Sequence, residues 1–373
     1  MKIIKIILFI SFFIIDISLY AKNVRVRVLA NYNPKKVVLN AFSDNYSVEL
    51  GTDKIIKVTE GDVLVINGIG DFCSVSKNGD ILGSFSSVYI NSLAEKSYFK
   101  MQMILPSTKT TFYPDQMHFK SIDSRLNIIN EVELNHYVAG VIESEIGNVK
   151  NDELLKVQAV ISRTYALKHI DRHKAEGFEL CDQVHCQVYH GKARFNNMIV
   201  PAVDSTHYEV IKDENGDLIE AVFHANCGGQ TVNSEEVWSK KRSYLRSVID
   251  TFCITEKQAR WTKEIDKQKW LNYMNTKTGK SSADACEFSH DFRLTKLPCN
   301  EVFTEDIRDD FKLRSTFFNV RESLDKVILE GRGFGHGVGM CQEGSIRQAK
   351  LGINYKSIIK FYYVNIQIIN IDI

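Results

Sequence analysis

Three clusters of residues in this chain could do chemistry. HYVAGVIESEIG (136–147) puts a carboxyl group, Glu145, at the end of an apolar helical stretch, and KVQAVISRTYAL (156–167) follows it. CDQVHCQVYHG (181–191) carries Cys181, His185, Cys186 and His190 within ten residues. GRGFGHGVGMCQEG (331–344) sets glycines on alternate positions around His336, ahead of Cys341 and Gln342. A carboxyl group at a helix C-terminus meets the negative end of the helix dipole, which disfavours ionisation. Partial burial behind Ile142 and Ile146 would act in the same direction. An acid kept protonated near neutral pH is what a glycosidic oxygen needs from a general acid. Glu143 competes on composition, but it points about 200° away on the same helix. Thiolates and imidazoles at the density of the second cluster suit tetrahedral zinc, with a Cys181–Cys186 disulfide as the alternative.

Other chemistries fit less well. A dinucleotide-binding reading of the glycine run would need a βαβ frame and an acidic residue about 20 positions on. Cys341 with His336 could form a nucleophile–base pair, yet an oxidising compartment argues against a catalytic thiol. The balance of 47 basic against 46 acidic side chains argues against a nucleic-acid footprint.

The elements that must position these residues can be read from pattern. Residues 22–115 read as a small β domain: VRVRVLA alternates strictly, and KVVLNAF, YSVEL, KIIKV, DVLVIN and SSVYIN follow at short spacing. The texture changes from residue 116. A strand-like LNIINEVEL leads into a helix from about Asn135 to Glu145, which Gly147-Asn148 breaks. Asn151 suits the N-cap of a second helix, with Leu154, Leu155, Val157, Ile161, Tyr165 and Ala166 on its buried face. Arg163 lies about 200° from Ile161, so pattern alone does not choose its partner. YEVIKD, Asn215-Gly216 and LIEAVFHA predict a hairpin that delivers His224, Cys227, Gly228 and Gly229 to its exit loop. The C-terminal stretch reads as a strand into the glycine turn, a helix ending at Gly352, then a helix and a strand.

Residues 1–21 read as a cleaved secretory signal. Lys2 and Lys5 precede an apolar stretch to Tyr20, and Ala21 supplies the small residue at the cleavage site. An uncleaved anchor is the alternative, but Asp16 inside a span would cost ~3 kcal/mol. Eight cysteines in an oxidising compartment favour disulfides, and Cys286–Cys299 and Cys227–Cys253 could each close a short loop.

The order and spacing of the three motifs resemble the stage II sporulation protein D family, the SpoIID/LytB domain, over roughly residues 116–372. The resemblance implies a larger mixed α/β domain at 116–373, which with the small N-terminal β-rich domain read from strand pattern makes an α+β fold. It also implies lytic transglycosylase activity on peptidoglycan glycan strands outside the cytoplasm, secreted or periplasmic, on strands stripped of peptide. In that chemistry one carboxyl group serves as acid and then base, closing a 1,6-anhydro ring, whereas hydrolases need a second carboxylate at fixed separation. No second carboxylate stands out in the motifs, and Asp204 and Glu235 are the candidates for one in space.

Ser144-Glu145-Ile146 matches the family's catalytic triplet, with Ile for Met, which chooses Glu145 over Glu143. Ile161–Tyr165 matches its arginine helix and implies that Arg163 holds Glu145 or substrate. FHANCGGQT and GHGVGMCQEG imply substrate-lining roles for His224, Gly228, Gly229, His336 and Gln342. In the second of these, Cys341 replaces Ser and Ser345 replaces Ala. Some relatives bind zinc at the equivalent of Cys181, His185 and Cys186. A non-catalytic enhancer of a partner amidase is the alternative function. Either reading expects Glu145, Arg163, His224, His336 and the cysteine cluster to line one groove.

Overall fold

The structure, a computed structural model, describes residues 22–41, 46–93, 97–279 and 284–371. The expected signal segment, 1–21, lies outside the described residues. No helix among the described residues is long and apolar enough to cross a membrane.

Strict alternation makes the first strand, Asn23–Val28, with Val24, Val26 and Val28 buried on one face. It pairs antiparallel with Arg125–Glu133, which pairs in turn with Gln116–Ile122. On its other edge it pairs in parallel with Leu180–Cys181, so that Arg27 lies opposite Cys181. These strands belong to one seven-stranded sheet. A six-stranded sheet built from residues 36–114 shares its hydrophobic core. That core runs from Val24 to Val210, so the β unit does not end at residue 115 as expected. Its sheet is completed by strands from beyond that point, because Asn23–Val28 finds both neighbours there.

The predicted helices form with the predicted ends. Helix α1, Leu134–Ile146, is capped by the Glu133 carboxylate on the His136 N–H and stops at Gly147, whose φ is 64°. Helix α2, Asp152–Lys168, starts where Asn151 Oδ1 accepts the Leu154 N–H at 3.0 Å. Both flanks of α2 are buried. Leu155, Ala159, Ala166 and Leu167 enter the first core, whereas Leu154, Val157, Val160 and Ile161 enter a second core built from residues 211–363.

Arg163 is fully buried on this helix. Its guanidinium donates to Asn135 Oδ1 of α1 at 3.0 Å, to the carbonyls of Val203 and Glu209, and to Thr206 Oγ1. Burial pulls its pKa down to about 10, still well above neutrality. With its donors consumed inside the protein, Arg163 holds neither Glu145 nor a ligand. The expectation of a substrate-binding role is corrected to an internal tie.

The hairpin at Asn215-Gly216 is reduced to a turn. Strand Glu209–Lys212 pairs with Gln367–Asn370 at the C-terminus instead, leaving one bridge between Lys212 and Leu218. Phe223–His224 pairs in parallel with Met340–Cys341, which joins two of the sequence motifs across more than a hundred residues. A third core packs the sheet of Arg260–Asp266, Phe318–Glu322 and Lys326–Arg332 against helices Lys267–Thr278 and Thr304–Phe311. Cys286 and Cys299 form the expected disulfide there. The expected Cys227–Cys253 disulfide is absent, and both residues are free thiols.

Replacing Arg163 by Met should destabilise the protein by at least about 3 kcal/mol, because several buried acceptors lose a partner at ~1–3 kcal/mol each. Urea denaturation checks this, and a loss below 1 kcal/mol (roughly that of one ordinary hydrogen bond) would contradict it.

Candidate active site

A cleft of about 740 Å³ opens beside α1, bounded by Glu143 and Ser144 of that helix, the 182–195 loop and the strand-end segments at Leu29–Tyr32 and Thr108–Thr111. The loop can lie against α1 because of two glycines. At Gly140 a Cβ would overlap the Gly191 carbonyl and the Tyr189 ring, 2.6 Å from its Cε2. Gly191 adopts φ 85° and leaves the same kind of space for the Phe112 carbonyl. Ser144 Oγ adds a bond, accepting the His190 N–H at 3.1 Å while donating to Gly140 O at 2.7 Å.

Glu145 is half-buried on the last turn of α1, directly after Ser144, and is not itself among the residues that line the cleft. Its Oε1 accepts the N–H of Val188, a cleft-lining residue, at 3.2 Å. The described hydrogen bonds leave its second oxygen unengaged. Burial raises its pKa above the ordinary glutamate value, and neither the Val188 N–H nor the nearby His190 cancels that effect.

Two carboxylates, Glu143 and Asp182, line the cleft, and both are occupied. Glu143 Oε1 accepts the backbone N–H groups of Arg194, Phe195 and Asn196 at 2.8, 2.7 and 3.2 Å, so it shapes the loop. Asp182, which the motif reading passed over, is buried and accepts the Leu29 N–H at 2.7 Å and the Gln183 side-chain amide at 2.6 Å. Glu235, a candidate second carboxylate, forms an ion pair with Arg246 at 2.5 Å. Neither Glu235 nor Asp204 is among the cleft residues.

The cysteine–histidine cluster gains a member. One donor atom from each of His173, Cys181, His185 and Cys186 lies within 4.8 Å of the others. His185 Nδ1 is 3.8 Å from both sulfurs. His173 Nδ1 is held by Glu176 at 2.5 Å, while its buried Nε2 has no partner. A carboxylate on one imidazole nitrogen and an idle second nitrogen is the usual arrangement behind a metal-bound histidine. The donor set therefore fits zinc. His173 lies out of reach of the motif, since eight residues and a 3-10 turn separate it from Cys181. His190 takes no part in the cluster.

The glycine motifs go elsewhere. None of His224, Gly228, Gly229, His336 and Gln342 lines the cleft at α1, so the expected single groove is not formed. The glycines serve close packing inside the protein. A Cβ on Gly228 would lie 2.7 Å from Arg332, one on Gly333 2.6 Å from the Asn226 carbonyl, and one on Gly335 2.8 Å from His224 Cβ. His224 is buried with Nδ1 on the Val338 carbonyl at 3.1 Å. His336 places Nε2 on the Phe223 carbonyl at 3.0 Å and takes the Val338 N–H on Nδ1 at 3.1 Å. Burial drives the pKa of His336 down to about 4 and that of His224 well below its usual value. Both histidines are neutral and held by backbone groups away from the cleft at α1, with Nε2 of His224 left without a partner.

Known proteins share this arrangement of sequence. The family described as stage II sporulation protein (SpoIID) matches residues 122–212, which contain α1, α2 and the cysteine–histidine cluster. An uncharacterized protein of Brachyspira hyodysenteriae is 30% identical over 330 residues, 86% of this chain and 83% of that protein. Stage II sporulation protein D of Bacillus subtilis is 29% identical over 270 residues, 65% of this chain and 76% of the relative. The amidase enhancer of the same organism is 28% identical over 285 residues, 60% of this chain and 39% of the relative. The chain belongs to the stage II sporulation protein D family.

Glu143→Gln should loosen the 194–196 loop, because an amide oxygen accepts three N–H groups less strongly than a carboxylate does. Hydrogen exchange at Arg194, Phe195 and Asn196 should speed up by roughly tenfold or more, equivalent to about 1.4 kcal/mol. Unchanged exchange at those amides would contradict the assigned role.

Proposed function

We propose that this chain cleaves peptidoglycan glycan strands as a lytic transglycosylase, with Glu145 as its single general acid and base. The state of Glu145 carries the reading. Bonded to the N–H of the cleft-lining Val188, it combines a pKa raised by burial with an oxygen that the described hydrogen bonds leave unengaged, whereas both oxygens of Glu143 and of Asp182 are engaged. Neutral Glu145 donates its proton to the glycosidic oxygen as the bond to the sugar's C1 breaks. The carboxylate left behind takes the proton of that sugar's 6-hydroxyl as O6 bonds to C1. The proton taken up equals the proton given, and no water enters. The occupied state of Glu143 and Asp182 supports a one-acid scheme over a two-carboxylate hydrolase. Envelope placement follows from the same substrate and from the basic and apolar N-terminal segment.

Zinc held by His173, Cys181, His185 and Cys186 would tie the 181–191 loop to the sheet edge at Arg27, behind the cleft. With four protein donors no coordination position is left to activate water. The relative named amidase enhancer supports a second reading, in which the chain binds glycan and stimulates a partner amidase. Mass spectrometry of peptide-free glycan after incubation separates these: anhydro ends support the transglycosylase, reducing ends a hydrolase, and binding without cleavage the enhancer.

Glu145→Gln should lower cleavage by ~10²–10⁴-fold while glycan binding persists. Activity within a few-fold of wild type would remove Glu145 from the mechanism. Cleavage by the wild type should fall as pH rises through the elevated pKa, since the acid must be protonated. The same shift affects stability. The stabilisation it brings is complete below the unfolded-state pKa and is lost as pH rises through the folded one. The Glu145→Gln variant should therefore gain stability relative to wild type as pH rises above the ordinary glutamate range, as thermal melting can show. Cys181→Ser/Cys186→Ser should reduce bound zinc by about one per chain in metal analysis.

A further inference from the structure

A second set of metal-type donors lies in the other core, away from the cleft. Cys227, Asp250, Cys253 and Cys341 are all completely buried, and one donor atom from each lies within 4.8 Å of the others. They come from three parts of the chain: the exit of strand Phe223–His224, a 3-10 turn at Thr251–Cys253, and the start of helix Gln342–Lys350. The sulfurs of Cys227 and Cys253 are 3.3 Å apart, and Cys227 Sγ is 3.3 Å from Asp250 Oδ2. A disulfide requires about 2.05 Å. The edge of a tetrahedron of ~2.3 Å zinc–sulfur bonds is near 3.8 Å, so a small expansion would admit one ion.

The surroundings suit thiolates; the buried Arg293 guanidinium donates to the Cys227 carbonyl at 2.8 Å, and no described hydrogen bond joins it to the four donor atoms. Cys341 Sγ accepts the N–H groups of Cys227 and Gly344, each at 3.3 Å. The described partners of Asp250 are the Tyr362 hydroxyl at 2.8 Å, the Phe252 N–H and the Cys227 thiol, none of them positively charged. Gly344 has no Cβ where one would overlap Asp250 and Tyr362. A fully buried carboxylate among three thiols, with no cation bonded to it, is costly to keep ionised. Three sulfurs and a carboxylate oxygen form a donor set for zinc.

We propose that Cys227, Asp250, Cys253 and Cys341 form a second, structural site for a thiophilic divalent cation, zinc foremost. It would lock the loop after His224 to the helix after the glycine turn, which holds those two motifs in register. The proposal is independent of glycan cleavage by Glu145.

Metal analysis and thiol mapping of the full chain, purified without chelator, test it. The Cys181→Ser/Cys186→Ser variant should still carry about one zinc per chain, and adding Cys341→Ser should remove it. Alkylation of denatured wild type without reductant should label Cys227, Cys253 and Cys341 as free thiols. If the Cys341 variant fails to fold, cobalt loaded into the Cys181→Ser/Cys186→Ser protein should give the intense near-ultraviolet absorption of thiolate–cobalt bonds. A Cys227–Cys253 disulfide in the peptide map, a metal-free Cys181→Ser/Cys186→Ser protein, or cobalt without thiolate absorption would overturn the proposal.

Discussion

The buried guanidinium of Arg163 is the interaction on which the arrangement around the cleft depends. A charge removed from water must have its donors satisfied, and those of Arg163 are satisfied by groups from three separate segments. Asn135 sets the start of α1, Val203 and Thr206 bound helix Ile199–Ser205, and Glu209 opens the strand that meets the C-terminus. Since α1 is fixed at its beginning, the position of Glu145 at its end is fixed as well. The helix that carries Arg163 is also the wall between two cores, so the same residue ties the β-rich half to the rest.

Glycine performs a second, separate task. In the 331–339 run the missing side chains let one backbone lie directly against another, and the parallel pairing of Phe223–His224 with Met340–Cys341 depends on that proximity. His224 and His336 occupy the space between, neutral and bonded to backbone carbonyls. The composition of such a loop resembles that of a binding loop because both need close approach. The difference lies only in what approaches.

Much of the site's positioning is legible from residue pattern. Helix α1, its stop at Gly147 and the Asn151 cap follow from local rules, because capping and periodicity act within a few residues. The partners of Arg163 do not follow, since they are set by tertiary contacts with segments 28 to 46 residues away in sequence. The strand at Glu209 reads as half of a hairpin because Asn215-Gly216 is a strong turn signal. The turn exists, but a better-matched partner at Gln367–Asn370 takes the edge. His173 and Asp250 are invisible to pattern for a similar reason. His173 joins its cysteines only through the fold, and Asp250, although three residues from Cys253, reaches Cys227 and Cys341 only through the fold.

The first strand, Asn23–Val28, lies between Arg125–Glu133 and Leu180–Cys181, with no sheet partner from the residues that directly follow it. A chain emerging N-terminus first therefore keeps this strand waiting, with one edge open until Ile128–Glu133 arrive and the other until Leu180–Cys181 do. The six-stranded sheet from residues 36–114 can form in the meantime, because its strands pair mostly with near neighbours. Order of synthesis thus separates two stages: a local β-sheet first, then closure of the seven-stranded sheet. The same closing step brings Cys181 to its place beside Arg27, so the cleft loop cannot take its position before the seven-stranded sheet closes.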